Sequence, residues 1–228
     1  MFAPIADIEQ ALANLANAVG GVSVATAAVP HAWTFDQNSD GGSHLVGLEQ
    51  SLCHRLREPR RRAQFIAGRV AARRALGAIL GGAAAANLPI GKDASGAPHV
   101  ESHTSLRISI SHSQDVAVAV AAPFPIGVDI ERDDPRPESF AQLFFTIAER
   151  QKFSRASARE RHTLINTLWT RKEAASKVGH WGGRLAFARL DCSEDAVPIE
   201  GNLVDLRSTG AAHYRISLAT FRGKAGHG

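Results

Sequence analysis

Leu106-Arg107-Ile108-Ser109-Ile110-Ser111 alternates apolar and polar residues without a break, which is the period of a strand with one buried face. His112 lies just past its end. Val116 to Ala121 and Ile126 to Glu131 read as two further strands, divided by Pro123 and Pro125, residues that a strand interior excludes because proline cannot donate to the ladder. Outward from this block the texture becomes helical on both sides. Upstream, a helix is expected from about Arg60 to Leu80, with Phe65, Ile66, Val70, Leu76 and Ile79 on one side and arginines on the other, stopped by Gly81-Gly82. Downstream, Leu164, Leu168, Ala175 and Val178 give helical spacing from Thr163 to Val178. A short amphipathic helix from Ile5 to Val19 ends at Gly20-Gly21, and loops are expected from Asp36 to Ser43 and from Gly91 to Pro98. Tyr214 to Leu218 reads as a last strand, followed by a loose tail from Arg222 to Gly228.

Helices and strands in this order define an α+β chain. No internal repeat is exact, but helix-then-strands recurs in each half, so two similar lobes are expected, residues 1–105 and 106–228. The 228 residues, 44% hydrophobic and 21% charged, are ordinary for a globular protein. No run of about 18 apolar residues could span a bilayer, and Met1 to Asp7 lacks the basic and apolar regions of a signal peptide. A soluble cytoplasmic protein with no membrane partner is expected. Cys53 and Cys192 are far apart and neither sits in a Cys-x-x-Cys pair, so neither a disulfide framework nor a zinc site is indicated. The formal charge is +4, and the excess is gathered from Arg55 to Arg74, which favours anionic partners, phosphates first among them.

Three clusters carry chemistry. In Gly127-Val128-Asp129-Ile130-Glu131, a strand would project Asp129 and Glu131 from one face about 6.6 Å apart, a pair of oxygen donors that suits magnesium. On its own, such a pair is more often a solvated outer face. In Trp169-Thr170-Arg171-Lys172-Glu173-Ala174-Ala175-Ser176-Lys177, a spacing of four stacks Trp169, Glu173 and Lys177 along one helix face. An exposed Glu-Lys pair would explain the last two, but the tryptophan one turn earlier argues for a covered face. In Ser109-Ile110-Ser111-His112-Ser113, an imidazole flanked by hydroxyls could donate to phosphate oxygens, although a histidine closing a loop is the commoner arrangement.

Taken in order, Ser111-His112-Ser113, Gly127 to Glu131, Phe144-Phe145-Thr146-Ile147-Ala148-Glu149 and Trp169 to Lys177 resemble the 4'-phosphopantetheinyl transferase superfamily, with its Gly-x-Asp-x-Glu and Trp-x-x-Lys-Glu-x-x-x-Lys patterns both intact. The resemblance covers most of residues 60 to 190. The length is similar to that of the surfactin-synthetase and enterobactin-synthetase activators, which implies a monomeric pseudo-dimer whose two α+β lobes are related by a pseudo-two-fold axis. It further implies transfer of phosphopantetheine from coenzyme A to a serine of an apo acyl or peptidyl carrier protein, with release of 3',5'-ADP. On this resemblance Asp129, Glu131 and Glu173 hold Mg2+, Glu173 is the general base and Lys177 serves the leaving group. His112, Lys172 and Lys177 grip phosphate oxygens, and Arg61 and Arg69, with Arg62, bind the 3'-phosphate of coenzyme A. Phe140 or Leu143 would anchor the carrier, with Phe144 and Phe145 in the core. Two departures stand out: Ser95 precedes Gly96-Ala97-Pro98 where the family often has a basic residue, and Gln114 stands where glycine is common. The rival readings are a basic nucleic-acid-binding protein without catalysis and a non-catalytic scaffold.

Overall fold

The computed structural model of the chain describes residues 5–30 and 44–222. The loop expected from Asp36 to Ser43 and the tail beyond Arg222 lie outside the described residues. In chain order the elements are α1 (Ile5–Val19), β1 (Ser23–Ala28), α2 (Leu48–His54), α3 (Pro59–Leu80), α4 (Gly82–Ala86), β2 (Gly91–Lys92), β3 (Pro98–His99), β4 (Arg107–Ser113) and β5 (Val116–Ala122). They continue with β6 (Ile126–Arg132), α5 (Glu138–Phe144), α6 (Ile147–Arg155), α7 (Ala158–Val178), β7 (Ala196–Ile199), β8 (Asn202–Ala211) and β9 (Tyr214–Phe221).

Two antiparallel sheets, ordered β1-β5-β4 and β6-β9-β8-β7, carry the fold. Each begins with a strand, passes through a long helix, and returns as a hairpin whose second strand pairs with the first. Thus β1, α3, β4 and β5 correspond to β6, α7, β8 and β9, and the chain is a pair of similar lobes. The boundary expected after residue 105 needs correction. Both β4 and β5 complete the first sheet, so the lobes divide at Pro123–Pro125, where two prolines interrupt strand pairing.

The Val/Ala alternation of β5 has a packing reason. Ala117, Ala119 and Ala121 face the alanine-rich side of α3, whereas Val116, Val118 and Val120 pack with α1 and the second sheet. Small residues on both sides let α3 lie close: a Cβ on Gly68 would come within 2.9 Å of Ile110 Cγ2. The apolar face expected on α3 is found in part: Ile66 and Leu76 are buried and Phe65 and Val70 partly so, but Ile79 is exposed. Much of the buried side is alanine, Ala63, Ala67, Ala71 and Ala75, and Arg69 and Arg73 are buried instead of solvated. Helix α7 starts earlier than Thr163 because Ser157 and Glu160 form a capping box there, as Thr146 and Glu149 do for α6.

The lobes meet edge to edge. Ser109, Ser111 and Ser113 of β4 do not face solvent; their hydroxyl oxygens accept the backbone N–H groups of Val128, Ile130 and Arg132 at 3.0, 3.3 and 3.0 Å. Strand β6 thereby satisfies donors that an edge would leave unpaired, at about 1 kcal/mol net for each bond.

Candidate active site

The cleft forms along this junction. Gly127, Asp129 and Glu131 alternate onto the face of β6 that meets α7, while Val128 and Ile130 enter the core. A Cβ on Gly127 would stand 2.0 Å from the Ala174 carbonyl oxygen, so only glycine allows α7 to cross β6 here. That crossing brings the helical acid and base down onto the strand carboxylates.

Lys177 Nζ donates to Asp129 Oδ1 at 2.7 Å and to the Val128 carbonyl at 3.0 Å, and Ser111 Oγ donates to the same Oδ1 at 2.7 Å. Glu131 accepts from Ser113 Oγ at 3.0 Å and from Trp169 Nε1 at 3.3 Å, with Arg136 Nη2 3.4 Å away. Glu173 faces the same cleft, of about 610 Å³, as do His112, Arg60 and Arg61. Trp169 is held by Phe140, Phe144 and Phe187 at ring-centroid distances of 4.9, 5.1 and 5.5 Å, so the face is covered, as its tryptophan implied. Beside it opens a more apolar cavity of about 790 Å³, walled by Pro98, Ile108, Phe144, Leu185 and Phe187 and sharing Trp169, Glu173 and Lys177 with the cleft.

The electrostatics follow from this crowding. Burial first, and then the Asp129 charge, push the Glu173 carboxyl above its ordinary value against the pull of Lys177. Glu131 is raised for the same two reasons, opposed by Arg136 and its hydrogen bonds from Ser113 and Trp169. Burial, then the Lys177 cation, lower the His112 imidazole, which leaves it neutral at neutral pH with one N–H to donate. Among the described residues no group of three or more His, Cys, Asp or Glu is already arranged as a metal cage, and Asp129 is matched by the Lys177 ammonium. The donor set nevertheless fits a hard dication that keeps waters and phosphates as ligands. It offers carboxylate oxygens, Asp129 Oδ2 is buried with no hydrogen-bond partner, and repulsion among the acids is what a bound cation would relieve.

Asp129, Glu131, Glu173, Lys177, His112 and Arg61 are thus brought together, although His112 lies within β4 and not past its end. Three expected residues are not. Lys172 is fully buried on the far side of α7, where Nζ pairs with Glu149 at 2.8 Å and donates to the carbonyls of Phe187 and Leu190; it cannot reach a phosphate in the cleft. Arg69 is buried over Phe65, 4.5 Å from the ring centroid, and 3.7 Å from Glu49, while Arg62 Nε donates to the Leu56 carbonyl at 2.7 Å. Neither lines the cleft. Arg136, which braces Glu131, was missed, and so was the role of the three serines. The serine alternation was visible as a polar face; the partner of that face was not. Of the apolar residues after β6, Phe145 is buried as expected, Phe144 and Phe140 are half-buried in the aromatic cluster, and Leu143 is 67% exposed.

Fold and cleft together define a two-lobed α+β protein that gathers three carboxylates, a lysine and a histidine where the lobes join. Residues 49–122 match the 4'-phosphopantetheinyl transferase N-terminal domain, and residues 125–218 match the 4'-phosphopantetheinyl transferase superfamily. Together these matches take in most of the described chain, which belongs to the 4'-phosphopantetheinyl transferase superfamily. A relative, the 4'-phosphopantetheinyl transferase psf-1 of Bacillus pumilus, is 31% identical over 86 residues, 38% of this chain and 37% of that protein. Among solved structures, the holo-[acyl-carrier-protein] synthase of Thermotoga maritima aligns at a TM-score of 0.35 and 15% identity over 45% of this chain and 66% of that one. The chain therefore spans less than two thirds of the length of either relative.

Proposed function

We propose that this protein transfers 4'-phosphopantetheine from coenzyme A to a serine of an apo acyl or peptidyl carrier protein and releases 3',5'-ADP. The observation that carries this is the convergence of Asp129, Glu131, Glu173, Lys177 and His112 on one cleft beside a 790 Å³ cavity. On this reading Asp129, Glu131 and Glu173 hold Mg2+, which would offset the charge of the pyrophosphate. Glu173, with its raised proton affinity, takes the proton from the attacking serine hydroxyl. The new bond is serine Oγ to the β-phosphorus, and the bond broken links that phosphorus to the bridging oxygen. Lys177 neutralises the departing 3',5'-ADP, and the neutral His112 donates its N–H to a phosphate oxygen. Arg61, at the arginine end of the cleft, is the candidate for the 3'-phosphate.

The carrier would meet the exposed Leu143 at the rim of the larger cavity. Because both walls of the cleft come from one chain, the reading takes the protein as a monomer. Its two buried, unpaired cysteines suit a reducing cytoplasm. The nucleic-acid alternative loses part of its support, since Arg69 and Arg73 of the arginine run are buried and Arg73 pairs with Glu49, and it gives no use for the ordered carboxylates of the cleft. The test is to incubate the protein with coenzyme A, Mg2+ and apo carrier proteins and measure intact carrier mass. A gain of one phosphopantetheine group is expected, and no gain with any of several carriers contradicts the proposal.

A further inference from the structure

On the far side of the large cavity from the acidic cleft, a second polar contact joins the lobes. Asp93 lies in the turn between β2 and β3. Its Oδ1 accepts from Ser95 N–H at 2.8 Å, Ser95 Oγ at 2.6 Å and Ala97 N–H at 3.0 Å. The Gly96 and Asp93 amides close the same turn onto Asp93 O and Ala97 O, both at 2.9 Å. The other carboxylate oxygen, Oδ2, reaches across the junction to His180 Nδ1 at 3.0 Å. His180 follows the end of α7, three residues beyond Lys177, and adopts a left-handed backbone with φ 53°. Its amide donates to the Lys177 carbonyl at 3.2 Å, and its own carbonyl accepts from Arg184 Nη2 at 3.0 Å.

We propose that the Asp93–His180 pair is an inter-lobe tie that fixes the Ser95–Pro98 loop against the end of α7, making both residues positioning residues for the ligand of the large cavity. The inference rests on the reading of that ligand as coenzyme A. Ser95, Gly96, Ala97 and Pro98 form one wall of the cavity and His180 belongs to the other, so this contact spans the two lobes at the cavity margin. Exposed ion pairs usually contribute little because two long side chains must be ordered to make them. Here that cost is already met. Asp93 is fixed by three hydrogen bonds inside its own turn, which hold its carboxyl down at about 2, with the Ser95 hydroxyl the largest cause, and it is ionised throughout the useful range. A non-glycine residue in the left-handed region persists only where its surroundings hold it, and the bonds to Lys177, Arg184 and Asp93 do so. The departure from the family pattern, Ser95 in place of a basic residue, gains a role here: its amide and hydroxyl both brace the carboxylate that reaches the other lobe.

Two variants separate the hydrogen bond from the backbone. His180→Gly keeps the left-handed conformation and removes the donor, whereas His180→Asn tolerates that conformation and keeps a donor near the Nδ1 position. Amide hydrogen exchange of the 93–99 segment should speed up several-fold in His180→Gly and stay near wild type in His180→Asn. The dissociation constant for coenzyme A, measured by calorimetry, should rise about 2–5-fold in His180→Gly, the scale of one exposed pair. In the transfer reaction KM for coenzyme A should change more than kcat. Unchanged exchange in His180→Gly would refute the tie, and faster exchange with unchanged coenzyme A affinity would refute its positioning role. If the wild-type protein neither binds coenzyme A nor loads a carrier, the functional reading fails, while the exchange data still decide whether the tie exists.

Discussion

Replacing Gly127 with alanine tests the reason this cleft exists. The added Cβ would stand 2.0 Å from the Ala174 carbonyl oxygen, 2.9 Å from the Val178 amide nitrogen and 3.0 Å from the Ala174 carbonyl carbon. All three are backbone atoms of α7, so no side-chain rotation relieves the contact. The helix must move off the strand by about 1 Å to restore van der Waals separation, and overpacking of this kind costs about 3 kcal/mol. For a chain of this size that is a fall in Tm of about 6–12 °C. The same movement carries Glu173 and Lys177 away from Asp129, and a displacement of about 1 Å can lower turnover about 100-fold. The assay pairs thermal unfolding with carrier loading. Gly68→Ala serves as the comparison, because its new Cβ meets the movable Ile110 side chain at 2.9 Å and should cost less. A Gly127→Ala protein with wild-type Tm and turnover would refute the claim that the glycine sets the helix-to-strand distance.

Other expectations follow from individual side chains. Asp129→Asn and Glu173→Gln should each abolish most transfer while Tm changes little, since both residues serve the cleft and not the core; near-normal activity of either at limiting Mg2+ would remove that residue from the proposed metal set. Lys172→Met should destabilise the protein by about 3–5 kcal/mol by leaving Glu149 buried and unpaired, with much of the loss recovered in Lys172→Met/Glu149→Gln; denaturant titration of the single and double variants reads both values. Cys192, whose thiol burial pushes up from 9.0 to about 12, keeps its proton in the folded state after the unfolded chain has lost it. The unfolded state then binds fewer protons, so this group's contribution to stability falls as pH rises from about 9 towards 12. Cys192→Ala should flatten that part of the stability profile.

What the sequence revealed and what it hid can be traced to particular residues. Helix α1, the body of α3 and the end of α7 were legible because glycine pairs and apolar spacing mark them, and Asp129, Glu131, Glu173 and Lys177 because strand and helix periods place them on shared faces. Where expectation and structure differ, the helical period itself accounts for the difference. Lys172 and Glu173 are neighbours on a helix and lie about 100° apart, so they could not both face the cleft. Arg61 and Arg69, eight residues apart, differ by about 80° around α3, which turns Arg69 towards Glu49. That glutamate, 1% exposed, sits in a short helix with no pattern to announce it. Strand β1, Ser23-Val24-Ala25-Thr26-Ala27-Ala28, is too alanine-rich to read as a strand on propensity; it is held by pairing over its full length with Val116–Ala121 of β5. The lobe boundary was misplaced because hairpin pairing back to β1 is a long-range fact, invisible to local alternation.

The most direct measurement of the central claim is a single-turnover reaction with enzyme in excess over apo carrier, in which holo-carrier is followed by intact mass and 3',5'-ADP by chromatography. The two products should form in equal amounts with Mg2+ present, and both should disappear with chelator, with Glu173→Gln, or when the carrier serine is replaced by alanine. Coenzyme A left intact by the wild-type protein under these conditions, or loading that survives both the chelator and Glu173→Gln, would contradict that claim.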